Sequence, residues 1–289
     1  MPENIILYAY LNIDIPMVAW EVAIGRVKSI CDNNPDGFGV SLWQFNNLKK
    51  LSSSGHSQLI IDEFRLEAYR QQSMPEKVSR LQGVYFFETA EMAFLALDRW
   101  GLGKYKNYVS QVNFGANSIS RYDSEWITSY RGTGETDWFP EYLSGTTLGV
   151  APLTEVLASG IGLVTNHDLR VQAYKKILDR WPTSTPLLYF AIAGFCESNI
   201  EDVALVRPTL LNQGNDVTGS YMIYMESLRL RQAEIAEAVT RCVERGMELP
   251  VVRPNSPDAV FSVPDLRAEG FTLGIPNAER EFGSIHQMG

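Results

Sequence analysis

A chain of 289 residues is long enough to bury one large core or two smaller ones. With 45% hydrophobic and 20% charged residues it has ordinary globular composition, which excludes extended disorder. A net charge of −9 argues against a broad, backbone-driven nucleic-acid surface, although a whole-chain sum does not see a local basic cleft.

Cys31, Cys196 and Cys242 stand far apart with no CxxC pair, and the start of the chain is not signal-like. Both features lead us to expect a reducing, cytoplasmic setting. His56, His167 and His286 lack metal-ligand spacing, so no metal is expected. The longest apolar run, 187–196, is too short to span a bilayer and reads as a buried helix, so no membrane partner is expected.

Residues 5–12 alternate and are rich in β-formers, which predicts a first strand. Pro16 precedes an apolar pattern of near-helical spacing over 17–30. The stretch Asn33-Asn34-Pro35-Asp36-Gly37 predicts a turn. A short strand is expected over 40–45, a polar loop over 51–57 and a helix over 60–70. After a break at 74–77, a strand is expected over 81–87. A helix over 90–100 stops at Gly101-Leu102-Gly103. Residues 108–114 read as a strand, and 118–147 as largely irregular apart from a short helix over 138–143. Strands over 153–157 and 161–165 are separated by Ser159-Gly160. Beyond Asn166 the texture becomes helical, over 169–180, 187–197 and 221–245. From Pro250 the chain is Pro-rich and weakly periodic. These shifts set expected units at 1–166, 167–249 (helical) and 250–289 (an arm).

Two segments carry chemistry. Ser79-Arg80 opens an apolar run ending in Tyr85-Phe86-Phe87, and Glu155 interrupts the apolar stretch Pro152-Leu153-Thr154-Glu155-Val156-Leu157. A buried acid without a partner is expensive, so Glu155 needs either a counter-ion or a task. Gly101-Leu102-Gly103-Lys104 lacks phosphate-loop spacing and follows a helix instead of a strand. No GxSxG, HExxH or paired-cysteine motif occurs.

Further short motifs fall in a definite order: Glu63-Phe64-Arg65, Pro75, Ser79-Arg80 and Tyr85-Phe86-Phe87, then Ala90 and Ala93 on a helix. They continue with 109–112, Asp123, Trp126, Tyr142-Leu143-Ser144-Gly145 and the Glu155 segment. Taken together, residues 5–166 resemble a divergent bacterial member of the ADP-ribosyltransferase superfamily, of its toxin and phage-defence branches. The resemblance implies an α+β fold, with a two-sheet domain gripping bent NAD in a cleft and a helical region following it. NAD is then a substrate, cleaved between nicotinamide and ribose, and ADP-ribose passes to a protein or nucleic-acid acceptor.

By the same resemblance Glu155 is the catalytic acid that holds the ribose and stabilises an oxocarbenium-like transition state. Ser79 and Arg80 line the middle strand's start, Tyr85 stacks on nicotinamide, and Tyr8 lies beside the first-strand position that normally grips the dinucleotide with a basic residue. That position is Ala9, so the positive charge comes from Arg80 or Arg65, or the grip is weakened. An intracellular toxin or anti-phage effector of this kind implies a neutralising antitoxin protein. Two other functions stay open: an interaction protein that has lost its chemistry, and an NAD glycohydrolase passing ADP-ribose to water. Plainer roles exist for each residue. Glu155 fits a strand-edge acid paired with a surface Lys, Arg80 fits a helix cap or a bridge to Glu63 or Glu76, and the aromatic run fits ordinary core.

Overall fold

The computed structural model describes residues 3–30, 33–34, 37–213, 216–274 and 277–286. Cys31, and the Pro35-Asp36 centre of the expected turn, lie outside them.

The first strand, β1 (Glu3–Tyr10), matches expectation. The helix expected over 17–30 is shorter. α1 (Pro16–Ile24) begins with a proline in its first turn, and Gly25, at φ +88°, stops it by returning its N–H to the carbonyls of Glu21 and Val22. The chain then turns into β2 (Arg26–Lys28), followed by β3 (Asn33–Asn34) and β4 (Gly37–Gly39). The expected strand over 40–45 and loop over 51–57 are instead mostly one helix, α2 (Leu42–Ser54). Its start is fixed by Ser41, whose hydroxyl accepts a hydrogen bond from the Gln44 N–H at 3.2 Å. α3 (Ser57–Ser73) extends the expected helix at both ends.

β5 (Val84–Phe86) is only part of the expected strand over 81–87. Residues before it form a turn around Ser79, whose carbonyl accepts from Gly83 N–H at 2.8 Å. α4 (Ala90–Arg99) is capped by Thr89. β6 (Val109–Asp123) runs through the first part of the stretch read as irregular, because its residues 112–123 pair with one partner. After α5 (Glu125–Tyr130) comes α6 (Phe139–Ser144), close to the expected short helix.

That partner is β7 (Thr154–Val164), one strand where two were expected. The Ser159-Gly160 interruption is absorbed by a register shift opposite Ala116/Ser118 and by Gly160 at φ +139°. A Cβ at 160 would lie 2.1 Å from the Gly115 carbonyl oxygen, so only glycine fits.

α7 (His167–Arg180) and α8 (Thr185–Ser198) are the expected helices, and β8 (Val206–Gln213) follows. The helix expected over 221–245 starts as strand. β9 (Asp216–Ile223) pairs with β8, and helix appears only in α9 (Glu226–Leu230) and α10 (Gln232–Glu244). An unbroken apolar run such as 221–225 fits either period, and here pairing with β8 decides. The Pro-rich arm adds β10 (Phe271–Leu273) and α11 (Ala278–His286).

The fold is α+β with two antiparallel five-stranded sheets among the described residues. Sheet 1 runs β1-β6-β7-β2, and β5 shares the β7 edge with β2. It curls until Tyr8 and Phe87 exchange two backbone bonds, which ties β1 to the end of β5. Sheet 2 runs β10-β9-β8-β4-β3, drawing strands from residues 33–34, 37–39, 206–213, 216–223 and 271–273. No helix among the described residues is long and apolar enough to cross a membrane.

The largest core packs sheet 1 against α1, α7 and α8. Inside it Arg26, fully buried, grips Glu21 through Nε (2.6 Å) and Nη2 (2.8 Å) and donates to the carbonyls of Glu201 and Val203. Glu21 also accepts the N–H of Val206, which opens β8. This clamp fastens sheet 1 to sheet 2. Removing one partner of a buried pair strands the other charge, so Arg26→Met should cost about 3–5 kcal/mol in urea unfolding. The double variant Glu21→Leu/Arg26→Met should recover most of that loss, and equal losses in the two proteins would refute the clamp.

Candidate functional site

Strand alternation positions the site. In β5, Phe86 points into the main core beside Phe114, while Tyr85 points to the opposite face. Glu155 and Leu157 of β7 share the Tyr85 face, since Tyr85 is paired with Leu157 and Tyr122 with Glu155. This face is covered by α6 and α3, which bring Tyr142 and Glu63, and the turn before β5 delivers Arg80. A cleft of about 730 Å³ opens there, with Arg80, Tyr85, Arg131 and Glu155 on its wall.

Arg80 is the hub. Its Nη1 donates to Glu155 Oε1 at 2.5 Å and to the Tyr142 hydroxyl at 2.7 Å. Nε and Nη2 reach Glu63 at 3.2 and 3.3 Å. The rings of Tyr85 and Tyr142 flank the guanidinium carbon at 5.4 and 5.5 Å. Glu63 is completed by Arg131 Nη1 at 2.6 Å and the Gln44 amide at 3.2 Å. Two guanidinium groups therefore face two carboxylates, and the buried cluster is electrically neutral.

Glu155 is only 3% exposed, yet it lines the cleft. Both of its hydrogen bonds fall on one oxygen: Oε1 takes Arg80 and, at 2.7 Å, the Tyr142 hydroxyl. Among the described residues nothing bonds Oε2. One oxygen of the acid is anchored and the other is left for a ligand.

Burial opposes the charge on Glu63, but the facing guanidinium of Arg80, then that of Arg131, outweighs it and holds the carboxyl at about 2. Burial likewise pushes the Tyr85 and Tyr142 phenols well above their ordinary range, so both are neutral donors.

The sequence-predicted residues divide. Glu155, Arg80 and Tyr85 come together in the cleft, and Arg80 does bridge Glu63. Glu155 pairs with Arg80 and not with a surface Lys. Ser79 sits beneath the cleft and donates to Glu67 at 2.8 Å while accepting from Leu81 and Gln82 N–H. Arg65 is on the far side of α3, paired with Glu281 of α11 at 2.9 Å. Tyr8 packs with Phe87, Trp100 and Val109, and Ala9 is a buried part of the cleft wall. Arg131 and Trp43 were not anticipated. Glu63 and Tyr142 occur in the ordered motifs but without an assigned role, and the joint recurrence of acid, base and phenol was the available signal.

One wall of the cleft is aromatic. Trp43 lies 5.9 Å from Tyr85, 6.1 Å from Trp100 and 5.8 Å from Tyr10, and Tyr10 lies 6.3 Å from Tyr105. Cys196 and Cys242 are free thiols, and no cluster able to hold a metal ion occurs among the described residues. No family model matches the sequence, and neither a curated protein nor a solved structure shows a significant match.

The depressed Glu63 carboxyl contributes stability that is present above its ordinary value of 4.5 and lost as pH falls through about 2. The full contribution is on the order of 3 kcal/mol. Glu63→Gln should therefore be less stable at neutral pH, and its unfolding free energy should fall less steeply from pH 4.5 downward than that of the unaltered chain. Parallel curves in urea titrations across that range would contradict this.

Proposed function

We propose that this chain is an NAD-consuming ADP-ribosyltransferase with an ADP-ribosyltransferase-like fold over its front half, acting inside the cell as a toxin or anti-phage effector. The observation that carries the reading is Glu155: an acid fixed on one oxygen by Arg80 and Tyr142, with Oε2 open to a cleft large enough for a nucleotide. Splitting the bond between nicotinamide and ribose needs no strong base. The electron pair of the C1′–N bond moves onto the pyridinium nitrogen and neutralises it, leaving a positive sugar. An anchored carboxylate beside C1′ stabilises that charge, and its open oxygen accepts a ribose hydroxyl.

The other groups fit this use. Tyr85 and Trp43 offer aromatic faces to a cationic ring. Arg131 gives Glu63 Nη1 and its Nε is buried, so Nη2 is the donor it has left for a pyrophosphate oxygen. With Ala9 in the first strand and the donors of Arg80 taken by Glu63, Glu155 and Tyr142, Arg131 takes over the role of a first-strand cation. A cell carrying such an enzyme needs a neutralising partner protein, which the reading includes.

Glu155→Gln leaves Arg80 bonded to Glu63 but uncovers one positive charge in the buried cluster, so folding is checked beside activity. Nicotinamide release from NAD should fall about 100-fold or more at a temperature where circular dichroism shows the variant folded, its thermal midpoint being lower than that of the unaltered protein. Arg65→Ala, away from the cleft, should leave release unchanged. Expression of the intact chain should slow growth and Glu155→Gln should relieve it. If both are equally harmless while soluble and folded, the effector reading fails. With adenylate-labelled NAD, label on a macromolecule marks transfer, whereas free ADP-ribose alone marks a glycohydrolase.

A further inference from the structure

We infer that the cleft face of α2 is the acceptor subsite, and that it takes an unpaired nucleobase of a single-stranded nucleic acid. The inference rests on the transferase reading and names its acceptor. Trp43, Asn46, Asn47 and Lys50 fall at i, i+3, i+4 and i+7, so they occupy one stripe of the helix, and all four line the same cleft as Glu155. They supply the three kinds of contact a nucleotide needs: a ring to stack on, a carboxamide (Asn47) to bond a base edge, and an ammonium for a phosphate.

Asn46 is engaged, donating to the Leu42 carbonyl at 2.7 Å and bonded to the Tyr221 phenol, and the spare capacity is visible in the other three. Trp43 is half-buried and continues the aromatic wall from Tyr85 towards Tyr10 and Tyr105, beyond the single ring that nicotinamide requires. Asn47 donates once, to Gln44 Oε1 at 3.0 Å, and among the described residues its carboxamide oxygen has no other partner. Lys50 is exposed and forms no ion pair among the described residues, unlike the cleft's Arg26, Lys28, Arg80 and Arg131.

A polypeptide side chain fits this cleft poorly. Of the carboxylates on its wall, Glu21 is in an ion pair, and Glu155, bonded through Oε1 alone, has its open oxygen committed to the ribose in the proposed reaction, so no further acid is present to receive an arginine or lysine acceptor. A flat neutral base needs none. A nitrogen of the base supplies the electron pair for the new bond to C1′, nicotinamide keeps the pair of the broken bond, and the proton displaced from the base goes to water. With one unpaired lysine, affinity comes chiefly from stacking, and the salt dependence is shallow, about −0.7 in log–log slope for one phosphate contact on a single strand.

The test is anisotropy with fluorescein-labelled single-stranded DNA, single-stranded RNA and duplex DNA, without NAD, beside nicotinamide release from NAD alone. The single strands should bind, with the RNA and DNA arms showing which sugar is preferred, and the duplex should bind at least about tenfold more weakly. Trp43→Leu and Lys50→Glu should each weaken strand binding, the first by about tenfold, with circular dichroism unchanged. Glu155→Gln should leave strand binding intact, and labelled ADP-ribose should move from NAD onto the strand. No strand binding, indifference to Trp43→Leu in a folded variant, a salt slope of several units, or label on polypeptide instead would overturn the proposal even where nicotinamide is released. Trp43-dependent strand binding with no nicotinamide release would uphold the subsite and sink the NAD reading alone.

Discussion

The structure around the cleft depends on one buried guanidinium. Arg80 is held between Glu63 and Glu155, carboxylates from a helix and a strand that share no other direct bond, and it is capped on either side by a tyrosine ring. Burying such a cation is unfavourable unless each of its donors is met, and here two acids and a phenol meet them. Arg131 then balances the second acid, so four charges cancel within one cluster. The same arrangement fixes where α3, α6 and β7 lie relative to one another, because each contributes a group to the same guanidinium or to its immediate partners.

On the transferase reading proposed above, that neutrality has a chemical consequence. A catalytic acid facing a developing positive sugar acts best when it cannot drift and is not screened by water. Arg80 and Tyr142 hold Glu155 by Oε1 only, which orients the carboxylate while leaving half of it unspent. An arginine bound to both oxygens would have quenched the acid. A surface lysine would have left it mobile. The one-sided grip lies between those extremes, and the second carboxylate, Glu63, is what allows Arg80 to hold Glu155 without taking all of it.

How much of this was legible in the sequence follows from the range of the forces involved. Glu155 stands out because an acid inside an apolar strand demands an explanation, and Arg80 because it opens the apolar run that leads into β5. Glu63 was visible only as one of several partners for Arg80, since spacing along a chain does not say which acid the fold brings near. Trp43 was obscured by a local misreading: Val40 to Phe45 alternates weakly like a strand, and the Ser41 cap that starts α2 is a single side-chain bond. Consequently the stripe of Trp43, Asn46, Asn47 and Lys50, plain once the helix is known, had no period to reveal it. Ser79 and Arg65 have suitable chemistry, but their hydrogen bonds go to Glu67 and Glu281, away from the cleft.

The strands show the same division between local and distant causes. The α+β class, the first strand and most helices follow from local periodicity. So do the strand stretches over 108–114, 153–157 and 161–165, but the continuity of β6 and β7 does not, because their polar and glycine positions make sense only against each other. Gly160 tolerates its backbone where Gly115 approaches it, and that close approach lets β7 run on as one strand past the interruption. Continuity there carries functional weight. The upper part of β7 pairs with β2, the Arg26 strand that is clamped to Glu21, and the lower part holds Glu155 against β5. A glycine whose only local message is a break thus links the rigid clamp between the two sheets to the strand that carries the acid.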